Sequence, residues 1–136
     1  MKKFYIASSF ANKEVVKAAA NLLTKKGFVQ TYDWTANLRA STIDELQVFG
    51  ELERAAVLDA DFLVVILPGG KGSHVEMGIA AGQGKTVYLL SETTGFFEFD
   101  VTSTFYYLAE VHIHIGQILD SIKEIIEIES REKSFH

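Results

Sequence analysis

The pattern of apolar and polar positions predicts five strands that alternate with helices along the chain. The most apolar stretch, Phe62–Leu67, has six apolar residues in a row. Such a run is typical of a parallel strand that is buried on both faces. Shorter apolar or alternating runs predict the other four strands at Phe4–Ala7, Phe28–Tyr32, Thr86–Leu90 and Val111–Ile115.

Helices are predicted between these strands from apolar residues spaced three and four positions apart. The first runs from Asn12 to Lys26, and the second is capped by Thr42 or Asp44 and ends near Leu58. A third follows the glycine-rich turn at Pro68–Ser73 and closes at Gly82–Lys85. We predict a short helix at Thr102–Glu110, a last helix from Gly116 to about Glu129, and a frayed polar tail from Ser130.

Strands that alternate with helices indicate one doubly wound α/β domain over residues 1–136, a three-layer sandwich of the flavodoxin-like or Rossmann-like type. Right-handed crossovers favour a mainly parallel sheet with strand order 2-1-3-4-5. Ligands of such sheets bind outside the carboxyl ends of the strands, where the strand order reverses. We therefore expect one crevice to be lined by Ser8, Ser9 and Phe10 after strand one, and by Pro68–Glu76 after strand three. Asp33 and Trp34 follow strand two at the same edge.

Glu76 has two interpretations at this stage. Ser73 is a candidate N-cap, and Ser73 with Glu76 matches the S-x-x-E capping box, in which the glutamate binds the backbone N–H of the serine. Alternatively, Glu76 is a carboxylate nucleophile whose ionised form is favoured by the helix N-terminus. Gly70 and Gly72 would let a ligand come close to the backbone beside it.

Composition narrows the classes of function. A net charge of −5 without a basic run argues against binding of duplex nucleic acid, and leaves a nucleoside or nucleotide open as ligand. We expect no metal and no cofactor, because cysteine is absent, His112 and His114 have no third ligand nearby in sequence, and no G-x-G-x-x-G motif follows strand one. The apolar runs are too short to span a membrane, and no signal peptide is recognisable, so a cytoplasmic location is expected.

Three segments resemble the nucleoside 2-deoxyribosyltransferase family, which includes 2'-deoxynucleoside 5'-monophosphate N-glycosidases. They are Phe4–Phe10, Ala60-Asp61 and the turn that leads into Val75–Ala80, and the resemblance extends over essentially the whole chain. It implies an enzyme that cleaves the N-glycosidic bond of 2'-deoxynucleosides, by base transfer or hydrolysis, through a covalent deoxyribosyl-enzyme.

The resemblance also implies roles for individual residues. Glu76 would be the nucleophile, and Tyr5 would orient it and the sugar. Glu53, with Glu51 as a substitute, would serve the departing base. Asp61 would either manage the proton in place of Glu53 or only cap the start of strand three.

Other positions carry expectations about the substrate. The transferases have an aspartate in the turn before the nucleophile, and its absence from Pro68–Ser73 leaves hydrolysis more open than transfer. Ser73 and the helix N-terminus are candidates for a 5'-phosphate. Trp34 either packs against the first helix or stacks on the base, and Asp33 is either a turn residue or a partner for the base edge. The alternative to an enzyme is a non-catalytic nucleotide-binding module on the same fold.

A cluster of aromatic residues follows strand four and is a candidate interface between copies of the chain. Such a dense aromatic segment belongs either to the core or to a contact surface. The resemblance implies a homodimer or a higher homo-oligomer in which a neighbouring chain helps to complete the site, which favours the contact surface. The residues are Phe96, Phe97, Phe99, Phe105, Tyr106 and Tyr107.

Overall fold

The computed structural model describes residues 2–134, and the side chains of residues 2–131. Five strands form one sheet in which every pair of neighbours is parallel, in the order β2-β1-β3-β4-β5. The predicted fold class and strand order are therefore confirmed. The strands are β1 Lys3–Ser8, β2 Val29–Gln30, β3 Phe62–Ile66, β4 Thr86–Ser91 and β5 Val111–Ile115.

Four helices cover the sheet in two layers, with α1 packed beside α4 and α2 beside α3. The helices are α1 Lys13–Lys25, α2 Ile43–Asp59, α3 Lys71–Gly82 and α4 Ile118–Ser134. We name the two pairs the α1/α4 layer and the α2/α3 layer. All five residues of β3 are buried, because this central strand has a helical layer on each face.

One end of α4 is tied to the sheet by a buried carboxylate. Glu129 is 3% exposed, accepts a hydrogen bond from the hydroxyl of Tyr88, and pairs with the ammonium of Lys2 at 2.7 Å. A buried charge that is paired and hydrogen-bonded can be retained in the fold. The predicted fraying from Ser130 is wrong, because α4 continues to Ser134. The last two residues lie outside the described part of the chain.

Two other elements differ from the prediction. The second strand has only two residues instead of Phe28–Tyr32, although the next residue, Thr31, still donates from its N–H to the Phe4 carbonyl at 3.0 Å. The helix predicted at Thr102–Glu110 is only a 3₁₀ helix, Thr104–Tyr107. A hydroxyl caps it, since the Ser103 side chain accepts from the Phe105 N–H at 3.2 Å, and the consecutive aromatic residues lack an amphipathic helical repeat.

Candidate active site

A cavity of about 260 Å³ lies at the carboxyl ends of β1 and β3, the position expected for a ligand of this fold. These strands are neighbours, and their continuations lead to opposite layers, so a crevice opens between them. The cavity brings together most of the residues that were singled out in the sequence. Its lining residues are Tyr5, Ser8, Ser9, Phe10, Trp34, Glu53, Gly70, Gly72, Ser73 and Glu76. We name this space the glutamate cavity.

A hydrogen bond between Tyr5 and Glu76 lies at the centre of the glutamate cavity. The Tyr5 side chain is fully buried in β1, and its hydroxyl donates to Glu76 Oε2 at 2.8 Å. Burial raises the pKa of Tyr5 far above its ordinary value, and the neighbouring Glu76 carboxylate raises it further. The phenol therefore stays protonated at physiological pH and acts as a permanent donor to Glu76.

Burial also raises the pKa of Glu76, to about 7. The hydrogen bond from Tyr5 opposes this shift because it stabilises the carboxylate, whereas the charge of Glu53 adds to it. A carboxylate with a pKa near neutrality is available both as an ionised nucleophile and as a proton carrier.

The capping box predicted for Ser73 and Glu76 is wrong. The helix α3 begins earlier, with Gly70 as N-cap, and the Ser73 hydroxyl accepts from the Gly70 N–H at 2.7 Å and donates to the Gly70 carbonyl at 2.9 Å. A Cβ at Gly69 would collide with this hydroxyl, which explains one glycine of the turn. Glu76 consequently lies in the second turn of α3, where the helix dipole contributes little to its ionisation.

The acidic candidates separate into one residue inside the glutamate cavity and two outside it. Glu53 of α2 lines the cavity, makes no hydrogen bond within the described residues, and has a pKa raised by burial. Glu51 is exposed and pairs with Arg54 at 2.6 Å. Asp61 lies at the opposite edge of the sheet, where its carboxylate accepts from the Lys3 N–H at 2.7 Å. Of these three acids, only Glu53 lines the same cavity as Glu76.

Two solved structures share this fold over nearly the entire chain. The CMP N-glycosidase BcmB of Clostridium botulinum superposes with a TM-score of 0.63 and 17% identity, over 91% of this chain and 98% of that one. A 2-desoxiribosyltransferase from Leishmania mexicana superposes with a TM-score of 0.60 and 15% identity, over 93% of this chain and 98% of that one. This chain has the fold of these two enzymes. No protein-family profile and no curated protein sequence matches it.

Within this fold, Trp34 is both a core residue and a wall of the glutamate cavity. Its side chain is 7% exposed, its Nε1–H donates to the Ile6 carbonyl at 2.7 Å, and its ring centroid is 6.1 Å from that of Phe10. Asp33 does not line the cavity. Its carboxylate accepts from the N–H and hydroxyl of Thr35, which is the role of a turn residue.

The small polar residues around the glutamate cavity differ in what they leave free for a ligand. The Ser73 hydroxyl is engaged with Gly70, and the Ser8 hydroxyl donates to the Ile66 carbonyl and accepts from Asn12. The Ser9 hydroxyl makes no hydrogen bond to the described part of the chain. Ser9, rather than Ser73, therefore has a free side-chain group to offer a substrate.

A second cavity, of about 250 Å³, adjoins the first and was not predicted from the sequence. It shares Phe10, Trp34 and Glu53 with the glutamate cavity, and extends from there along the loop before α2. Its other lining residues are Asn37, Leu38, Arg39, Ala40, Leu46, Phe49 and Gly50. We name it the loop cavity. One signal in the sequence was available, since Arg39 is the one charged residue of the segment 36–43 that follows strand two.

His74 was also missed, and it connects the glycine turn to the aromatic segment. Its Nδ1 lies 2.8 Å from the Gly70 carbonyl, and its Nε2 lies 2.7 Å from the Tyr106 hydroxyl. A carbonyl can only accept, so Nδ1 donates a hydrogen bond to Gly70, and Nε2 shares the second hydrogen bond with the Tyr106 hydroxyl. The contact fixes Tyr106 against the first turn of α3, at one side of an apolar cavity of about 420 Å³.

The aromatic segment divides into buried and exposed members. Tyr106 is buried and Phe96 and Phe97 are half-buried, as expected of core residues, whereas Phe99, Phe105 and Tyr107 are 100%, 65% and 54% exposed. Among the side chains described for residues 2–131, we find no cluster of three or more His, Asp or Glu that could hold a metal ion. None of the helices described within residues 2–134 has both the length and the apolar character of a membrane span.

Proposed function

We propose that this chain is an enzyme of the nucleoside 2-deoxyribosyltransferase type, which cleaves the N-glycosidic bond of 2'-deoxynucleosides or their 5'-monophosphates. The observation that carries the proposal is the Tyr5–Glu76 hydrogen bond at the switch point of the sheet, with Glu53 lining the same cavity. Enzymes that cleave glycosidic bonds commonly use two carboxyl groups, one ionised and one with a raised pKa that can donate a proton. Glu76, held by a fixed donor, and Glu53 fit these two positions.

In the first step, a Glu76 oxygen attacks C1' of the sugar as the bond from C1' to the base nitrogen breaks. The electron pair of that bond leaves with the base, and the carboxyl group of Glu53 delivers a proton to it. Because the transition state has oxocarbenium character, the negative charge of Glu76 stabilises it before the covalent bond forms. Tyr5 keeps the attacking carboxylate in place with its hydrogen bond.

In the second step, the deoxyribosyl ester on Glu76 is broken. Water attacks C1', transfers a proton to the Glu53 carboxylate, and releases the sugar and the Glu76 carboxylate. An acceptor base in place of water would complete a transfer. We favour hydrolysis, because the turn between Pro68 and Ser73 has no acid to hold an incoming base.

Ser73 is a weaker candidate for binding a 5'-phosphate than the sequence suggested. With the Ser73 hydroxyl committed to Gly70, a phosphate at the start of α3 would depend on backbone N–H groups, the free Ser9 hydroxyl and the charge of Lys71.

A neighbouring copy of the chain is a further source of contacts to the substrate. We include in the proposal that the chain forms a homodimer or larger homo-oligomer through the exposed apolar residues of the α2/α3 layer and the aromatic segment.

Chromatography of reaction mixtures tests the proposal. Purified protein is incubated with each 2'-deoxynucleoside and each monophosphate, with and without a free acceptor base. We expect free base to appear without acceptor. A new nucleoside that forms only with acceptor would replace hydrolysis by transfer. Nucleotide binding without release of base at high protein concentration would contradict the enzymatic assignment and favour a binding module.

A further inference from the structure

We infer that the loop cavity is the base subsite, and that Arg39 selects bases with two adjacent hydrogen-bond acceptors on one edge, namely guanine and cytosine, over adenine and thymine. This inference rests on the proposed cleavage of the N-glycosidic bond. It adds to that proposal the identity of the base, which the residues around Glu76 do not specify.

The position of Glu53 places the base in the loop cavity. Glu53 lines both the glutamate cavity and the loop cavity, so it lies at their junction. If Glu76 attacks C1' and Glu53 protonates the leaving group, the base must extend from the sugar past Glu53. The loop cavity is the space that adjoins the glutamate cavity on that side.

The walls of the loop cavity suit a flat aromatic ligand. Phe10 and Trp34 belong to both cavities, and Phe49 of α2 lines the loop cavity alone. Trp34 is held rigidly by its bond to the Ile6 carbonyl, and Phe10 is 38% exposed toward solvent. Stacking on fixed aromatic rings stabilises any base and does not discriminate strongly among them.

Discrimination requires a hydrogen-bonding group, and Arg39 is the charged residue of the loop cavity other than Glu53. Its guanidinium carbon lies 5.7 Å from the Phe10 ring centroid. The guanidinium makes no hydrogen bond and no ion pair with the side chains described for residues 2–131 or with the described backbone, so its N–H donors are available for a ligand. A cation–π contact with Phe10 leaves the N–H donors of the guanidinium available, because the ring face accepts no conventional hydrogen bond in this contact.

The donor pattern of a guanidinium determines which bases it can read. Two parallel N–H groups match two adjacent acceptors, which guanine offers at O6 and N7 and cytosine at O2 and N3. In adenine an amino donor lies beside N7 and N1, and in thymine the N3–H separates the two carbonyls. Hydrogen bonds from Arg39 also stabilise the negative charge that the base acquires as the glycosidic bond breaks, so the preference should be largest in kcat/KM.

The test measures kcat/KM for the four 2'-deoxynucleoside monophosphates with three proteins. We expect the wild type to prefer the guanine and cytosine substrates. We expect Arg39→Lys, which keeps the charge but loses the planar fork, to reduce the ratio of these two to the adenine and thymine substrates by about 5- to 150-fold. Arg54→Lys is the matched control, because Arg54 is exposed, pairs with Glu51 and lines neither cavity. It should leave the ratio unchanged.

An equilibrium measurement separates this inference from the proposed chemistry. Trp34 is the only tryptophan and lines both cavities, so its fluorescence reports occupation of the base subsite. With Glu76→Gln, which prevents turnover, we expect the guanine and cytosine monophosphates to bind more tightly than the other two, and Arg39→Lys to remove the difference.

The two proposals fail in different ways. If base is released at similar kcat/KM from all four substrates, or if Arg39→Lys leaves the ratio unchanged, the inference about Arg39 is wrong while the proposed cleavage stands. If the wild type releases no base from any substrate, the proposed function is wrong, and the base subsite that rests on it is withdrawn as well.

Discussion

The two helical layers cover the same sheet in different ways. In the α1/α4 layer, the 13 residues of α1 bury Val16, Ala19, Ala20 and Leu23. In the α2/α3 layer, the 17 residues of α2 bury only Ala56 and Val57, and Ile43, Leu46 and Leu52 are 77%, 57% and 45% exposed. The first half of α2 lines the loop cavity instead of packing on the sheet.

This difference separates stability from function. The α1/α4 layer supplies apolar burial, which is the main favourable contribution to folding. The α2/α3 layer supplies Glu53, Glu76 and the residues of α2 that line the loop cavity together with Arg39. It also leaves apolar side chains exposed. Proteins retain such departures from good packing where a ligand or a partner uses them. Substitutions in the two layers should therefore have separable consequences.

The largest effect is expected from Glu76→Gln. Because the proposed nucleophile is removed while its shape is kept, activity should fall by at least about 10³-fold with the fold intact, as measured by base release and by circular dichroism. Glu14→Gln in α1, whose side chain is 88% exposed, is the control in the other layer and should retain full activity. Substantial turnover by Glu76→Gln would contradict the assignment.

Tyr5→Phe should reduce activity by roughly 10- to 100-fold and change its pH dependence. The hydrogen bond from Tyr5 lowers the pKa of Glu76, so its loss should raise that pKa above about 7. Since the proposed nucleophile must be ionised, the rise of kcat with pH should move to higher pH, and part of the loss should be recovered in alkaline buffer. An unshifted profile would mean that Tyr5 acts only in packing.

Phe105→Asp tests whether the exposed apolar surface is an interface between copies. Burying a charge in such an interface should weaken self-association by about 10- to 100-fold, as measured by sedimentation at several concentrations. Leu119→Asp in α4 is the comparison in the other layer, at 37% exposure against 65% for Phe105. Equal effects of the two variants, or a wild-type monomer at high concentration, would contradict an interface at the aromatic segment.

A raised pKa for Glu76 also predicts an effect on stability. Because the pKa in the folded state, about 7, exceeds the ordinary value of 4.5, the folded protein holds this proton more tightly than the unfolded chain. The resulting stability is fully present below pH 4.5 and is lost as the pH rises to about 7. The free energy of unfolding of Glu76→Gln should therefore be compared with that of the wild type at both pH values. The difference in favour of the variant should be roughly 1–3 kcal/mol larger at pH 8 than at pH 4. Denaturant titrations at the two pH values measure the difference.

The smallest effect is expected from substitutions of the hydroxyl residues Ser73 and Thr42, at the starts of α3 and α2. Ser73→Ala removes the two hydrogen bonds between its hydroxyl and Gly70, and Thr42→Ala removes the bond from the Glu45 N–H. Each substitution at these helix starts in the α2/α3 layer should cost about 1 kcal/mol of unfolding free energy. Of these two residues, only Ser73 contacts the Gly70 turn beside the glutamate cavity, so only Ser73→Ala should also raise KM. Equal effects of both variants on KM would show that the turn does not depend on this hydroxyl.

Most of the fold was predictable because its signals are local. The apolar run at Phe62–Ile66 and the helical spacing in α1 identify elements within a few residues. The start of α3 was not predictable in the same way. Ser73 is an acceptable N-cap by type, and its actual partner, the Gly70 N–H, depends on the close packing of the turn around Gly69.

The candidate site was predictable where residues lie at strand ends, and not where two distant segments meet. Ser9, Phe10 and the turn before Glu76 could be placed in the same crevice from topology alone. The contacts of Arg39 with Phe10, and of His74 with Tyr106, join segments that no spacing rule connects. Asp61 was a candidate proton carrier within the segment Ala60-Asp61 that resembles the family, but it lies just before β3, at the end of the strand away from the crevice.

The most direct test of the account is peptide mass spectrometry of wild-type protein that has been quenched with acid during turnover of a 2'-deoxynucleoside or its monophosphate. We predict one added deoxyribosyl group on the peptide that contains Glu76, and its absence in Glu76→Gln. A deoxyribosyl group on another carboxylate, or release of base by Glu76→Gln at the wild-type rate, would contradict it.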